Sequence, residues 1–245
     1  MKILNIITPC SRPANLKFLF QSIQSPPDTK IYWYIVYDYG IKPEVGLPKK
    51  YKGINIIQHL AEEKSILGNS SRNWAFDQIT EGFVYLLDDD NIFNPNFWLF
   101  FNSFKNNHFY SFLAEFTPAA NIILRKFKNE WHLFTLGQTS KHKIVKVTRG
   151  TGMPTFEFAM ERFEELLKKV PDYIKYLYPC KPQVDHIDSS MCCIDRSLIG
   201  DSRFQKDAYN ADGIFLEEVF LKSRQNFSYI DEYLGYYNYL EQSKT

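Results

Sequence analysis

The chain has 245 residues, 44% of them hydrophobic, with 29 Lys and Arg against 28 Asp and Glu. So even a balance lacks the basic field that nucleic acid or an acidic membrane demands, which excludes both as expected partners, and the length suits one large α/β core. The four cysteines show no CxxC spacing and two of them are adjacent, which points to reduced thiols rather than to disulfides or structural zinc.

The opening run 3–9 (ILNIITP) reads as a buried strand, and Thr8-Pro9 with Arg12-Pro13 cuts it too short for a signal sequence or a membrane span. Residues 14–24 then place Leu16, Leu19, Phe20 and Ile23 on one helical face. A second continuous apolar strand, 31–38 (IYWYIVYD), ends on Asp38, and 53–58 (GINIIQ) is a third after a Gly/Pro-bearing loop. In 68–80 (GNSSRNWAFDQIT), Ser70 or Ser71 stands where a helix cap is needed, and 83–87 (FVYLL) is a fourth strand that runs straight into Asp88, Asp89 and Asp90. The order to residue 90 is β-α-β-β-α-β, or β-α-β-α-β if the 40–53 loop holds a helical turn. Continuous apolar strands in either order predict a doubly wound, mostly parallel sheet covered by helices on both faces.

The second half is less regular. Phe97, Trp98, Phe100, Phe101 and Phe104 surround a short helix that suits core burial better than membrane contact. Residues 137–154 combine basic residues with glycines and read as a surface hairpin, or as a loop that orders over a ligand. Phe156, Met160, Phe163, Leu167 and Val170 recur at helical spacing up to Pro171, predicting an amphipathic helix. Residues 191–194 are strand-like, a helix opens near Gly213, and a Tyr-rich late strand follows residue 227.

In an open α/β sheet, ligands sit outside the carboxyl ends of the strands. Thr8, Pro9, Arg12, Asp38 and the aspartate triplet all fall there. Three adjacent carboxylates repel one another, so a cation is expected among them. Strand alternation puts Asp88 and Asp90 on one side with Asp89 turned toward another donor, and hard oxygens select Mg²⁺ or Mn²⁺. The same triplet also reads as a solvated loop, or as a helix entry in which Asn94 supplies the cap.

The segments ITPCSRP, GNSSRNWAFDQ, VYLLDDDNIFNP and ADGIFLEEVF, in this order and at these distances, resemble the nucleotide-sugar-dependent glycosyltransferases of the GT-A fold. The stretch 72–98 is similar both to glycosyltransferase family 2 and to the animal β-1,3-glucuronyltransferases. The resemblance implies one Rossmann-like GT-A domain over 1–245, with a nucleotide-sugar-binding half at 1–96 and an acceptor-binding half at 97–245. It implies Asp90 as the main ligand of Mn²⁺ or Mg²⁺, with Asp88 and Asp89 near the ribose and the metal's waters. Thr8, Pro9, Arg12 and Asp38 would line the nucleotide pocket. Arg72, with Asn73 beside it, would reach the diphosphate, although a structural ion pair with an aspartate suits Arg72 equally.

An inverting transferase needs one carboxylate as general base for the acceptor hydroxyl. The family 2 comparison points to Asp212, the glucuronyltransferase comparison to Glu217, and adjacent Glu217 and Glu218 cannot both face the crevice. Asp188 is either an acceptor-binding group or a turn cap, and His186 either a third metal ligand or a hydrogen-bonded surface histidine. The chain lacks the C-terminal HxG of retaining relatives, the QxxRW of processive synthases and an N-terminal anchor. The expectation is therefore a soluble, cytoplasmic, inverting enzyme that moves a sugar from a nucleoside diphosphate sugar, UDP above all, to a glycan, lipid-linked or protein hydroxyl. A sugar-phosphate nucleotidyltransferase is the alternative, although TPCSRP carries none of the glycines that its phosphate loop requires. A non-catalytic nucleotide-sugar or glycan-binding module is the other.

Overall fold

A computed structural model of the protein describes residues 1–24, 26–43, 47–51, 53–116, 122–127, 130–135, 143–147, 156–158, 182, 184, 187–237 and 240. The expected first half is present: strand β1 (Lys2–Cys10), helix α1 (Leu16–Ser22), strand β2 (Thr29–Tyr37), strand β4 (Ile54–Leu60), helix α2 (Asn69–Gln78) and strand β5 (Phe83–Leu86). The loop before β4 contributes a two-residue strand, β3 (Lys50–Tyr51), antiparallel to β4, and no helix among its described residues. Neither Ser70 nor Ser71 caps α2. The cap position is Gly68, and the Ser65 hydroxyl accepts the Ser70 amide at 3.1 Å.

Beyond Asp90 come helix α3 (Phe97–Phe101), strand β6 (Phe109–Phe116), strand β11 (Cys192–Asp195), helix α4 (Arg196–Ile199), helix α5 (Ala211–Lys222) and strand β12 (Phe227–Tyr237). One eight-stranded sheet runs in the order β12-β6-β11-β5-β1-β2-β4-β3, parallel at β1–β2, β1–β5, β2–β4 and β6–β12. A second sheet holds β7 (Ile122–Phe127), β8 (Glu130–Thr135), β9 (Lys143–Val147) and β10 (Phe156–Phe158), all antiparallel. Strand β10 occupies the first residues of the expected amphipathic helix, where Phe156 and Phe158 alternate with Glu157 at the period of a strand. The rest of that helix, and most of the 137–154 loop, lie outside the described residues.

The central strands are buried on both faces, as their unbroken apolar runs require. Ile7, Val36, Val84 and Leu86 pack under α2 and α5 with Phe76, Phe215 and Val219; Leu4, Ile6, Trp33 and Tyr85 pack under α1 and α3 with Leu16, Leu19, Phe97 and Phe101. The run around α3 is core, as expected: Phe97 and Phe101 are fully buried, and Phe104 stacks on Tyr110 at 3.9 Å. Lys2 Nζ donates to the carbonyls of Phe101, Asn102 and Phe104 at 2.9, 2.7 and 2.5 Å, satisfying acceptors that the end of α3 leaves open. Cys10, Cys192 and Cys193 are free, buried thiols. No helix among the described residues is long and apolar enough to cross a membrane.

Candidate active site

Strand order decides where the chemistry gathers. β1 lies between β2 and β5 and is parallel to both, so connections leave its end toward opposite faces and a crevice opens there. β11 runs antiparallel to β5, so its beginning reaches this same edge and brings the Ser189–Met191 turn with it. Residues 203–208 then return along α2, pairing with it at Asp77, Asn73, Asn69 and Ile66, and deliver the first turn of α5 to the crevice.

The three aspartates lie past the end of β5 and do not divide as alternation predicts: Asp89 meets another donor, but Asp90 shares it and Asp88 faces elsewhere. Asp89 is buried and accepts the Ser11 and Arg12 amides at 2.7 and 2.6 Å, the Ser11 hydroxyl, and Arg12 Nε and Nη2 at 2.9 and 2.6 Å. Its oxygens accept from donors within the protein, so it ties the β1 loop to the β5 loop. Arg12 Nη2 also reaches Asp90 at 3.1 Å. Asp88 turns the other way, toward Arg72 Nη2 at 2.6 Å.

Arg72 is almost wholly buried. Its Nη1 donates to the Leu67 carbonyl at 2.6 Å, and Nε has no hydrogen-bond partner among the described residues. The ion pair expected as one role of Arg72 is present, and one donor is left over. Burial works against its charge, and Asp88, Asp212 and Asp188 together offset that.

Asp212 and Asp188 therefore lie close enough to Asp88 and Arg72 for their charges to interact, although they are more than 90 residues away in sequence. Asp188 caps the Ser189–Met191 turn, accepting the Ser190 amide at 2.8 Å and its hydroxyl at 2.6 Å, as one of its two expected roles required. Burial and then Asp88 and Asp212 push its carboxyl up to about 7. Asp212 is raised as well, by burial first, with the Gly213 amide and Arg72 opposing and Asp88 reinforcing. Glu217 lies about 140° round α5 from Asp212. Glu218 is held by Lys222 and by Ser202, so it is the solvated charge of the pair. His186 lies outside the described residues.

At the β2 end, Asp38 accepts the Ser71 hydroxyl at 3.2 Å, and burial raises its carboxyl above the usual range. Gly68 makes this junction possible. Its φ is +71°, and a Cβ there would sit 2.5 Å from Pro9 Cβ and 3.3 Å from Asp38 Oδ1. Gly68→Ala is expected to cost about 2 kcal/mol in urea unfolding, from left-handed strain plus overlap with a rigid ring. A loss below about 0.5 kcal/mol would contradict so tight an approach.

Two expected nucleotide contacts are committed elsewhere. Thr8 is fully buried, its hydroxyl accepting Trp33 Nε1 at 2.9 Å. Asn73 pairs both ends of its amide with the Phe204 backbone, at 2.9 and 2.8 Å. Gly68, Ser11 and Phe204 were not singled out from sequence, and Ser71 only as a helix cap; of these, the Gly68-Asn69 turn pair carried a local signal.

The residues present fit a divalent cation. Asp88 raises the proton affinity of Asp90, Asp188 and Asp212, while Arg12 is largely spent on Asp89, so negative charge gathers in the crevice. Among the described residues no three His, Cys, Asp or Glu side chains could hold an ion by themselves. A metal here would take one or two carboxylate oxygens and leave its other positions to phosphates and water. Burial, then Asp88, push Asp90 up to about 6 against Arg12. In the window from about 4 to about 6 the native state therefore binds the extra proton, and this group's contribution to stability falls as pH rises. Asp90→Asn is expected to stabilise the metal-free protein at pH 7 by about 1–2 kcal/mol, and to have no such effect at pH 4. Urea titrations at the two pH values measure it; equal effects at both would contradict the buried charge.

No protein-family model matches the chain, and no curated protein matches it in sequence. Solved structures do. S. aureus TarS 1–349 superposes with a TM-score of 0.59 at 15% identity over 96% of this chain, and S. aureus TarS with 0.60 at 14% over 96%. The fold is that of a GT-A-type glycosyltransferase. TarS 1–349 in complex with UDP and with UDP-GlcNAc superposes at 0.55 and 0.54, with 15% and 14% identity, each over 97% of this chain. The chain spans 60% of TarS 1–349 and 36% of TarS.

Proposed function

We propose that the protein is a divalent-metal-dependent, inverting glycosyltransferase that moves a sugar from a UDP-sugar to the hydroxyl of a glycan, lipid-linked or protein acceptor. The observation that carries this reading is the meeting of Arg72 and Asp88 with Asp212 and Asp188 across one crevice at the strand-order switch. The likeness to TarS 1–349 in complex with UDP and UDP-GlcNAc supports the choice of donor.

The half 1–96 holds the nucleotide, with Pro9 and Asp38 at the base and ribose and Arg72 at the diphosphate. Asp90 and Asp88 are the residues that would hold Mn²⁺ or Mg²⁺. When bound, the metal supplies positive charge where the leaving diphosphate gathers negative charge. Arg72 adds a fixed guanidinium to the same end, already buried and oriented, so no reorganisation is needed as the bond breaks. The half 97–245 receives the acceptor. Asp212 takes the proton of the attacking hydroxyl, and its raised proton affinity brings it closer to the operating pH of a general base. Asp188 is placed to accept a hydrogen bond from another acceptor hydroxyl.

A thermal-shift panel of nucleoside mono- and diphosphates and UDP-sugars, with and without Mn²⁺, tests the reading. UDP and at least one UDP-sugar should raise the melting temperature with Mn²⁺ present, as about 2.7 kcal/mol of linkage at a hundredfold excess over Kd requires. Equal response to every nucleotide, or none to any, would overturn it.

A further inference from the structure

The contacts of Asn69 and Asn73 raise a question that donor binding does not answer. Both lie on α2, four residues apart and so on one face of the helix. Both are spent on the backbone of the segment that delivers Asp212. Asn69 Nδ2 donates to the carbonyls of Gln205 and Ala208 at 3.0 and 3.1 Å, with Lys206 at 3.5 Å, and Asn69 is 2% exposed. Asn73 donates to the Phe204 carbonyl at 2.9 Å and accepts the Phe204 amide at 2.8 Å.

What this backbone carries makes the clamp informative. The Phe204 ring lies under the Arg72 guanidinium, 5.3 Å from Cζ, and stacks at 4.4 Å on Phe215, one turn beyond Asp212 on α5. One aromatic ring thus touches both the cation at the donor end and the helix that bears the acid at the other. Asn73, next to Arg72 in sequence, fixes that ring's backbone to α2, and Asn69 fixes the four residues that follow. The half-buried Asn73 amide, satisfied in both senses, and the buried Asn69 donor together favour one register, because a slip would leave these groups unpaired.

We propose that Asn69 and Asn73 are positioning residues, which set the reach between Arg72 and Asp212 through the Phe204–Ala208 backbone. The claim rests on the glycosyl-transfer reading for its catalytic consequence, but not for its geometry. In-line displacement demands that the leaving group and the base sit at a fixed separation, and a shift of about 1 Å costs on the order of a hundredfold. Neither asparagine touches the donor, so affinity for UDP should be insensitive to their loss.

Asn5 offers a matched control. Its amide likewise donates to two carbonyls, Glu81 at 2.9 Å and Phe83 at 3.0 Å, at the start of β5, away from the crevice at its far end. The test compares Asn73→Ala, Asn69→Ala and Asn5→Ala in crystal structures and in Mn²⁺-dependent release of UDP from a panel of UDP-sugars that includes UDP-GlcNAc. The expected result for the two α2 variants is a displacement of Asp212 from Arg72 of about 1 Å or more and a drop in kcat of at least tenfold. KM should stay within about threefold, while Asn5→Ala changes neither kcat nor the separation. Unmoved Asp212 in both α2 variants, or an equal loss of kcat in Asn5→Ala, would overturn the proposal. A parent that releases UDP from no sugar nucleotide would contradict the glycosyl-transfer reading instead, and the crystal structures would still decide the positional claim.

Discussion

Asp212→Asn is expected to lower turnover by roughly 10²- to 10⁴-fold, the usual worth of a positioned general base, with UDP affinity unchanged. The substitution keeps the local fold, because an amide oxygen can accept the Gly213 amide as the carboxylate does at 2.8 Å. It also removes one of several mutually repelling charges, so melting temperature should not fall. Glu217→Gln serves as the internal comparison. About 140° away round the helix, Glu217 cannot aim where Asp212 does, and its variant should retain full activity. Acceptor-independent UDP release and transfer, measured in parallel, separate the two. Loss of activity in Glu217→Gln with retention in Asp212→Asn would reverse the assignment of the base, retention in both would put the base elsewhere, and an inactive parent that still binds UDP would favour a binding module.

Asp89→Ala is expected to be the most destabilising single change at the site, by about 3–5 kcal/mol. The cost does not come from one bond. Removing the carboxylate strands two buried backbone amides and leaves the Arg12 guanidinium facing only Asp90 at 3.1 Å. In a domain of this length that corresponds to a fall of about 10 °C in melting temperature. Asp89→Asn keeps an acceptor for the amides and should fall between the two. Urea unfolding with an unchanged slope checks the prediction, and a loss below about 1 kcal/mol would show that the β1 and β5 loops do not depend on this tie.

The first half of the fold was legible because its signals are local. Strands such as β1 and β2 are unbroken apolar runs ended by Pro or Asp, and such runs have few alternatives to burial in a covered sheet. Only part of the expected split among the three aspartates is present: Asp89 turned to another donor, Arg12, but Asp90 shares it and Asp88 pairs with Arg72, because the strand ends at Leu86 and alternation no longer holds beyond it. What sequence could not show was which polar groups already had partners. Thr8 and Asn73 stand in the right places for nucleotide contacts, yet Trp33 and Phe204 claim them from 25 and 131 residues away. Nothing local marks such a pairing. The antiparallel β11 was equally hidden as a placement device: residues 191–194 read as a strand, but only its direction beside β5 brings Asp188 to the crevice. The amphipathic pattern from Phe156 misled at its start, because Phe156-Glu157-Phe158 alternates with the period of a strand while the helical spacing of Phe156, Met160 and Phe163 passes over Phe158.

The separation of Arg12 and Arg72 onto different aspartates has a mechanistic consequence. Arg12 is largely neutralised by Asp89, whereas Arg72 faces Asp88 with Nε unspent. Carboxylates nevertheless outnumber guanidinium groups around the crevice, where Asp88, Asp89, Asp90, Asp188 and Asp212 face Arg12 and Arg72. That makes cation binding, rather than guanidinium contact alone, the account's central claim. A crystal structure grown with Mn²⁺ and UDP tests it most directly. The account predicts an anomalous peak within coordination distance of an Asp90 oxygen, bridged to the diphosphate, with the Arg72 guanidinium turned to the same phosphates. A nucleotide bound in the crevice with no metal at Asp88 or Asp90, or a metal and nucleotide seated away from the β1 and β5 ends, would contradict it.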